Sequence, residues 1–149
     1  MNRSTVGRPM EILLVEDNLE DARVTIESLK QENVPCRVTL VRDGEEAMSF
    51  LHREGLFAKV PRPDLILLDM ELPKKDGRQV LAEIRGDHRL QNIAVVVLTA
   101  SRVHRTVLQA ENLRVDGFMT KPVSLEQFIQ VIKSLRRSWL AEIILPTMD

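Results

Sequence analysis

Cys36 is the only cysteine in 149 residues, so neither an internal disulfide nor a cysteine-built zinc site can form. Tyrosine is absent and aromatic residues make up only 3% of the chain, which argues against a base-stacking surface. No apolar run approaches the roughly 18 residues needed to cross a bilayer. The opening MNRSTVGRPM lacks the apolar core of a signal peptide, so export is not expected. Neither sign of charge dominates: 21 basic residues stand against 22 acidic ones, for a net charge of −1. That balance gives no overall pull toward nucleic acid or an anionic membrane. Internal repeats and low-complexity tracts are also missing. The expectation is a cytoplasmic chain.

What is present fits a single domain with one sizeable core, with 44% hydrophobic and 29% charged residues. Short apolar runs alternate with longer helical patterns, five times over. The runs are Ile12-Leu13-Leu14-Val15, Val38-Thr39-Leu40-Val41, Leu65-Ile66-Leu67-Leu68, Ala94-Val95-Val96-Val97-Leu98 and Gly117-Phe118-Met119. The first, third and fourth are almost wholly aliphatic, as strands buried on both faces should be.

Helix start signals lie between the runs. Asp43 with Glu46, Asp76 with Gln79 and Ser124 with Gln127 each pair a cap residue with Glu or Gln three positions later. Asn18 and Ser101 are plausible caps for two further helices. The last helix carries Leu125, Phe128, Ile129, Ile132, Leu135 and Trp139 on one stripe, which reads as core packing. The order is therefore (βα)5: an α/β fold with a parallel sheet and helices on both faces. A longer connection, Glu54 to Asp64, precedes the third strand. Residues 1–9 read as a flexible arm, 10–140 as the folded domain, and 141–149 as an apolar extension outside the repeating pattern.

Ligands of open parallel sheets bind outside the carboxyl ends of the strands. Glu16-Asp17 follow the first run, Asp69 the third, Thr99 the fourth, and Thr120-Lys121-Pro122 the fifth. Taken singly, each has a plain explanation: an acid pair at a helix start, a turn aspartate, a solvated lysine. Together they bring carboxylates, a hydroxyl and an ammonium to one edge.

Clustered carboxylates raise one another's pKa unless a cation neutralises them. An all-oxygen ligand set suits Mg²⁺, whereas no histidine or cysteine is available here for zinc or copper. An Asp held by such a metal beside a hydroxyl and a lysine can attack a phosphoryl group and become an aspartyl phosphate.

The motifs VEDN (15–18), LLDMELPKKDG (67–77), VVVLTAS (95–101) and FMTKP (118–122) resemble those of the response-regulator receiver domain of two-component signalling. The resemblance runs from about Met10 to about Trp139. It implies a flavodoxin-like doubly wound sheet of strand order 2-1-3-4-5, and a signalling phosphoprotein that promotes only its own phosphorylation and dephosphorylation. Asp69 would accept phosphate from a histidine kinase. Glu16, Asp17, Asp69 and the main-chain carbonyl of Glu71 would hold Mg²⁺. Thr99 and Lys121 would contact the phosphoryl group, with Thr99 and Phe118 as the switch. Lys121-Pro122 matches the family's cis peptide. Two departures are an acid pair of Glu-Asp instead of the commoner Asp-Asp, and Phe118 where tyrosine is common.

More narrowly, PRPDLILLD, LPKKDGRQVLAEI and the SWL…ILP ending are similar to small stand-alone regulators of phytochrome kinases, which are often dimeric. A homodimer built on the helices after the fourth and fifth strands and on the apolar tail is thus one expectation. Arg102, Arg105, Lys133, Arg136 and Arg137 form a basic patch there, read as a solvated face or a partner surface. His52, His88 and His104 are read as surface residues. Alternatives are a phosphate-sink or relay receiver and a Mg²⁺-dependent phosphatase of the haloacid dehalogenase type. The phosphatase wants an Asp two residues after its nucleophile, where this chain has Glu71. A flavin carrier would need a Ser/Thr/Gly-rich loop where this chain reads EDNLED. The residues after the domain are too few for a helix-turn-helix, so DNA binding is not expected.

Overall fold

The computed structural model describes residues 8–30, 35–99 and 112–135. Its strands are β1 (Met10–Val15), β2 (Cys36–Val41), β3 (Leu65–Asp69), β4 (Ala94–Thr99) and β5 (Gly117–Thr120). Its helices are α1 (Leu19–Leu29), α2 (Gly44–Leu51), α3 (Gly77–Gly86) and α4 (Leu125–Ser134). All four pairings are parallel and the sheet runs β2-β1-β3-β4-β5, as the resemblance implies. The helix expected after β4, with Ser101, Arg102, His104 and Arg105, lies outside the described residues. So do Arg136, Arg137, Trp139, the tail 141–149 and residues 1–7.

Alternation along each strand divides the core. Ile12, Leu14, Leu65, Leu67, Val96 and Leu98 pack on one face with Ala22 and Leu29 of α1 and Phe128, Ile129 and Ile132 of α4. Leu13, Val15, Ile66, Leu68, Val95 and Val97 pack on the other with Ala47 and Phe50 of α2 and Val80, Leu81 and Ile84 of α3. Burying each of the larger side chains among these, valine upward, is worth about 1.5–3 kcal/mol. That is why β3 and β4 read as unbroken aliphatic runs, while edge strand β2 alternates between half-buried and exposed positions.

The caps form at the expected residues: Asn18, Asp43, Asp76 and Ser124 each accept a hydrogen bond from the backbone N–H three positions on. Only α3 closes the reciprocal capping box, between Asp76 and Gln79. At α2 the Glu46 carboxylate instead accepts from the Arg42 N–H at 2.8 Å. At α4 the Gln127 amide reaches back to bond Thr120 N and O and the Pro122 carbonyl. Gln127 thereby ties the Thr120-Lys121-Pro122 segment, with its cis Lys121–Pro122 bond, to the start of α4.

Two glycines allow the segment after Asp69 to pack. A Cβ on Gly77 would lie 2.4 Å from the Asp69 carbonyl oxygen, and one on Gly44 would lie 1.9 Å from that of Lys75. Arg8, at the end of the segment expected to be an arm, forms a two-pronged ion pair with Asp64 at 2.7 and 2.9 Å. His88 is exposed, but His52 is half-buried, with Nε2 3.0 Å from Asp87. Backbone bonding from Arg89, then the contact with His52, holds the Asp87 carboxyl below its ordinary pKa.

Candidate functional site

Parallel pairing decides which distant residues meet. Val15 lies beside Leu68, Asp69 beside Leu98, and Thr99 beside Thr120. The residues at the carboxyl ends of these strands therefore share one edge. A cleft there is lined by Glu16, Asp17, Asn18, Asp21, Asp69, Glu71, Thr99 and Lys121. Phe118 stands one strand away, half-buried and packed against the α2/α3 side of the core.

Glu16 is 0% exposed and Asp69 5%, while Asp17 is half-buried. Glu16, Asp17 and Asp69 each offer a carboxylate oxygen, and these lie within 4.8 Å of one another. Lys121 Nζ stands 2.7 Å from Glu16 Oε1, 3.2 Å from Asp21 Oδ2 and 3.3 Å from Asp69 Oδ1. The Asn18 N–H donates to Glu16 Oε2 at 3.2 Å, and the Glu71 N–H makes a long contact to Asp69 Oδ1 at 3.4 Å.

Burial pushes the Glu16 carboxyl up to about 7, a rise that Lys121 opposes and the neighbouring Asp69 reinforces. For Lys121, burial acts to lower the ammonium's pKa; the contact with Glu16 and the charges of Asp69 and Glu16 outweigh it, and the pKa rises. The lysine is therefore a permanent cation among acids.

The donors fit a hard divalent cation. They are all oxygen, and neither described histidine lines the cleft. Glu16 Oε1 is buried and, despite its close ammonium, has no well-directed hydrogen bond among the described residues. An enclosed carboxylate oxygen left so is suited to a metal. Beside it Asp69, near an ammonium and the threonine at the end of β4, offers the groups that nucleophilic attack on phosphorus requires.

Of the residues singled out in the sequence, Glu16, Asp17, Asp69, Glu71, Thr99 and Lys121 line the cleft, whereas Phe118 does not. Asp21 and Gln127 were not anticipated. Asp21 carried a faint signal, since it stands one helical turn beyond Asp17 and is the residue whose N–H Asn18 caps. Gln127 read only as the second half of a capping box.

Residues 12–133 match the response regulator receiver domain family. The response regulator Rcp1 of Synechocystis sp. is 42% identical over 138 residues, covering 93% of this chain and 94% of its own. Its Mn²⁺-bound structure superposes with a TM-score of 0.71 over 93% of this chain and all of that one. The phosphorylated cyanobacterial phytochrome response regulator RcpA is 46% identical, with a TM-score of 0.72 and coverage of 93% and 99%. The bacteriophytochrome response regulator RtBRR is 35% identical, with a TM-score of 0.81 and coverage of 95% and 82%. With a match running from the middle of β1 to the last turn of α4, the chain belongs to the response regulator receiver family.

Proposed function

We propose that this protein is a response regulator in which Asp69 of the receiver domain accepts a phosphoryl group from a histidine kinase in a Mg²⁺-dependent reaction. The phosphorylated form then signals through protein–protein contacts. One observation carries the reading: Lys121 Nζ comes within 3.3 Å of Asp69 in a cleft where Glu16, Asp17 and Asp69 crowd their oxygens together.

In the transfer, an Asp69 oxygen bonds to phosphorus, the bond from phosphorus to the kinase histidine nitrogen breaks, and that nitrogen keeps the electron pair. Charge spreads over the equatorial oxygens, toward which Lys121 offers its ammonium and Thr99 its hydroxyl. Glu16, Asp17 and Asp69, with the Glu71 carbonyl, would hold Mg²⁺, which would supply positive charge to offset that of the carboxylates and the incoming group. Thr99 and Phe118 then relay the change. The protein acts only on its own aspartate.

The names of RcpA and RtBRR support a phytochrome-type kinase as the phosphoryl source. No helix among the described residues is long and apolar enough to cross a membrane, in keeping with a place in the cytoplasm. The same reading takes residues 10–140 as the receiver, flanked by the arm 1–9 and the extension 141–149. It includes a two-fold homodimer through the helices after β4 and β5 and that extension, which light scattering on the full chain and on one ending at Ser138 would test.

Incubation with acetyl phosphate and Mg²⁺ should add one phosphoryl mass, and Asp69→Asn should abolish it. Equal labelling of the variant refutes the assignment. A phosphotransfer screen against purified histidine kinases tests the phytochrome connection.

A further inference from the structure

Lys121 faces a third acid besides Glu16 and Asp69. Asp21, in the first turn of α1, accepts a hydrogen bond from Lys121 Nζ at 3.2 Å, nearly the distance to Asp69. The backbone N–H of Asp21 is in turn held by the Asn18 side chain at 3.0 Å, so the helix start fixes this residue beside the cleft. Asp21 lies outside the oxygen cluster suited to a cation, which comprises Glu16, Asp17 and Asp69.

We infer that Asp21 is a positioning residue that restrains Lys121: its carboxylate competes with the phosphoryl group for the ammonium and so sets how tightly the cleft holds an anion. The inference rests on Asp69 as the phosphoryl acceptor. An ammonium has three N–H donors, and three carboxylates surround this one. A divalent cation in the cluster would draw the oxygens of Glu16 and Asp69 to itself and repel the ammonium. Asp21 is the acceptor left to Lys121. A phosphoryl group of about −1.5 to −2 charges then pulls the ammonium one way and Asp21 the other. The Asp21 charge also offsets that of Lys121 where the anion must bind.

The neighbouring Glu20 is a built-in control. It carries the same charge in the same helical turn, but its carboxylate is engaged by Arg23 at 2.5 Å, and Lys121's carboxylate partners are Glu16, Asp21 and Asp69.

The test uses the full chain at saturating Mg²⁺, titrated with beryllofluoride, a phosphoryl mimic, and read by fluorine NMR. The Asp21 side chain is 44% exposed and that of Lys121 18%, so the pair is partly screened. Asp21→Asn should lower the half-saturating concentration about two- to fivefold, the scale of a solvent-screened pair. Asp21→Ser should shift it the same way, and Glu20→Gln should stay near wild type. With acetyl phosphate, in which Asp69 displaces acetate from phosphorus, Asp21→Asn should lower KM by a similar factor and change the maximal rate less. Unchanged or weaker beryllofluoride binding in the Asp21 variants overturns the inference. So does an equal shift in Glu20→Gln, which would assign the effect to distant charge. Binding that persists in Asp69→Asn overturns the acceptor reading itself, and this inference with it.

Discussion

Lys121 Nζ stands 2.7 Å from Glu16 Oε1, an ion pair whose acid is completely enclosed. A lysine from the end of β5 thus partly neutralises an acid from the end of β1. Both pKa values are raised: burial lifts that of Glu16 against the pull of Lys121, while the contacts with Glu16 and Asp69 lift that of Lys121 against burial. Glu16 is the more perturbed toward physiological pH, since burial lifts it from 4.5 to about 7.

The first prediction follows from that rise. A carboxyl whose pKa is higher folded than unfolded stabilises the fold fully below its unfolded value, near 4.5, and loses that contribution as pH rises through 7. In EDTA, wild-type unfolding free energy should therefore fall relative to Glu16→Gln by about 2–3 kcal/mol between pH 5 and pH 8. Denaturant titrations across that range measure it. A difference independent of pH would remove Glu16 as the cause.

Metal should reverse the trend. Mg²⁺ needs the ionised carboxylates, so its stabilising effect should be larger at pH 8 than at pH 6. At ten times its dissociation constant it should contribute about 1.4 kcal/mol, seen as a higher melting temperature. The double variant Glu16→Gln/Asp17→Asn should lose most of this shift; an undiminished shift would place the ion elsewhere.

Gly77 tests how tightly the Asp69 loop is packed. An added Cβ would meet Asp69 O at 2.4 Å and Met70 Cα at 2.7 Å, both backbone atoms that cannot rotate away. Gly77→Ala should cost about 1–3 kcal/mol and slow acetyl phosphate labelling. Gly86→Ala, with nothing within 4 Å in the same helix, should be neutral or stabilising by up to about 1 kcal/mol. Equal behaviour of the two would show that the loop yields.

Beryllofluoride should alter amide exchange beyond the Asp69 loop. If Thr99 and Phe118 shift together as a two-state population, protection changes should extend along β5 to Thr120. Phe118 is only half-buried before the event, so it has room to move either way. Changes limited to residues 69–77 would exclude this relay.

Much of the fold was legible because burial writes itself into the chain. Leu65 to Leu68 and Ala94 to Leu98 are aliphatic at every position since helices cover both faces of β3 and β4. Asp43, Asp76 and Ser124 announce helix starts by a local hydrogen bond three residues long. The cleft residues Glu16, Asp17, Asp69, Thr99 and Lys121 were legible by the same logic, as polar groups standing where apolar runs stop at one end of a parallel sheet.

What the sequence by itself determined was the set of groups at that edge; only the tertiary structure decided how they share partners. The Gln127 amide leaves its own helix cap for Thr120 and Pro122 because the turn after β5 brings those groups within reach. Asp21 meets Lys121 across 100 positions of chain because the carboxyl ends of β1 and β5, with β3 and β4 between them in the sheet, open on the same cleft. Contacts of that kind depend on distances between strand ends and on which carboxylate reaches an ammonium first. Periodicity and capping motifs record only what each segment does with its nearest neighbours.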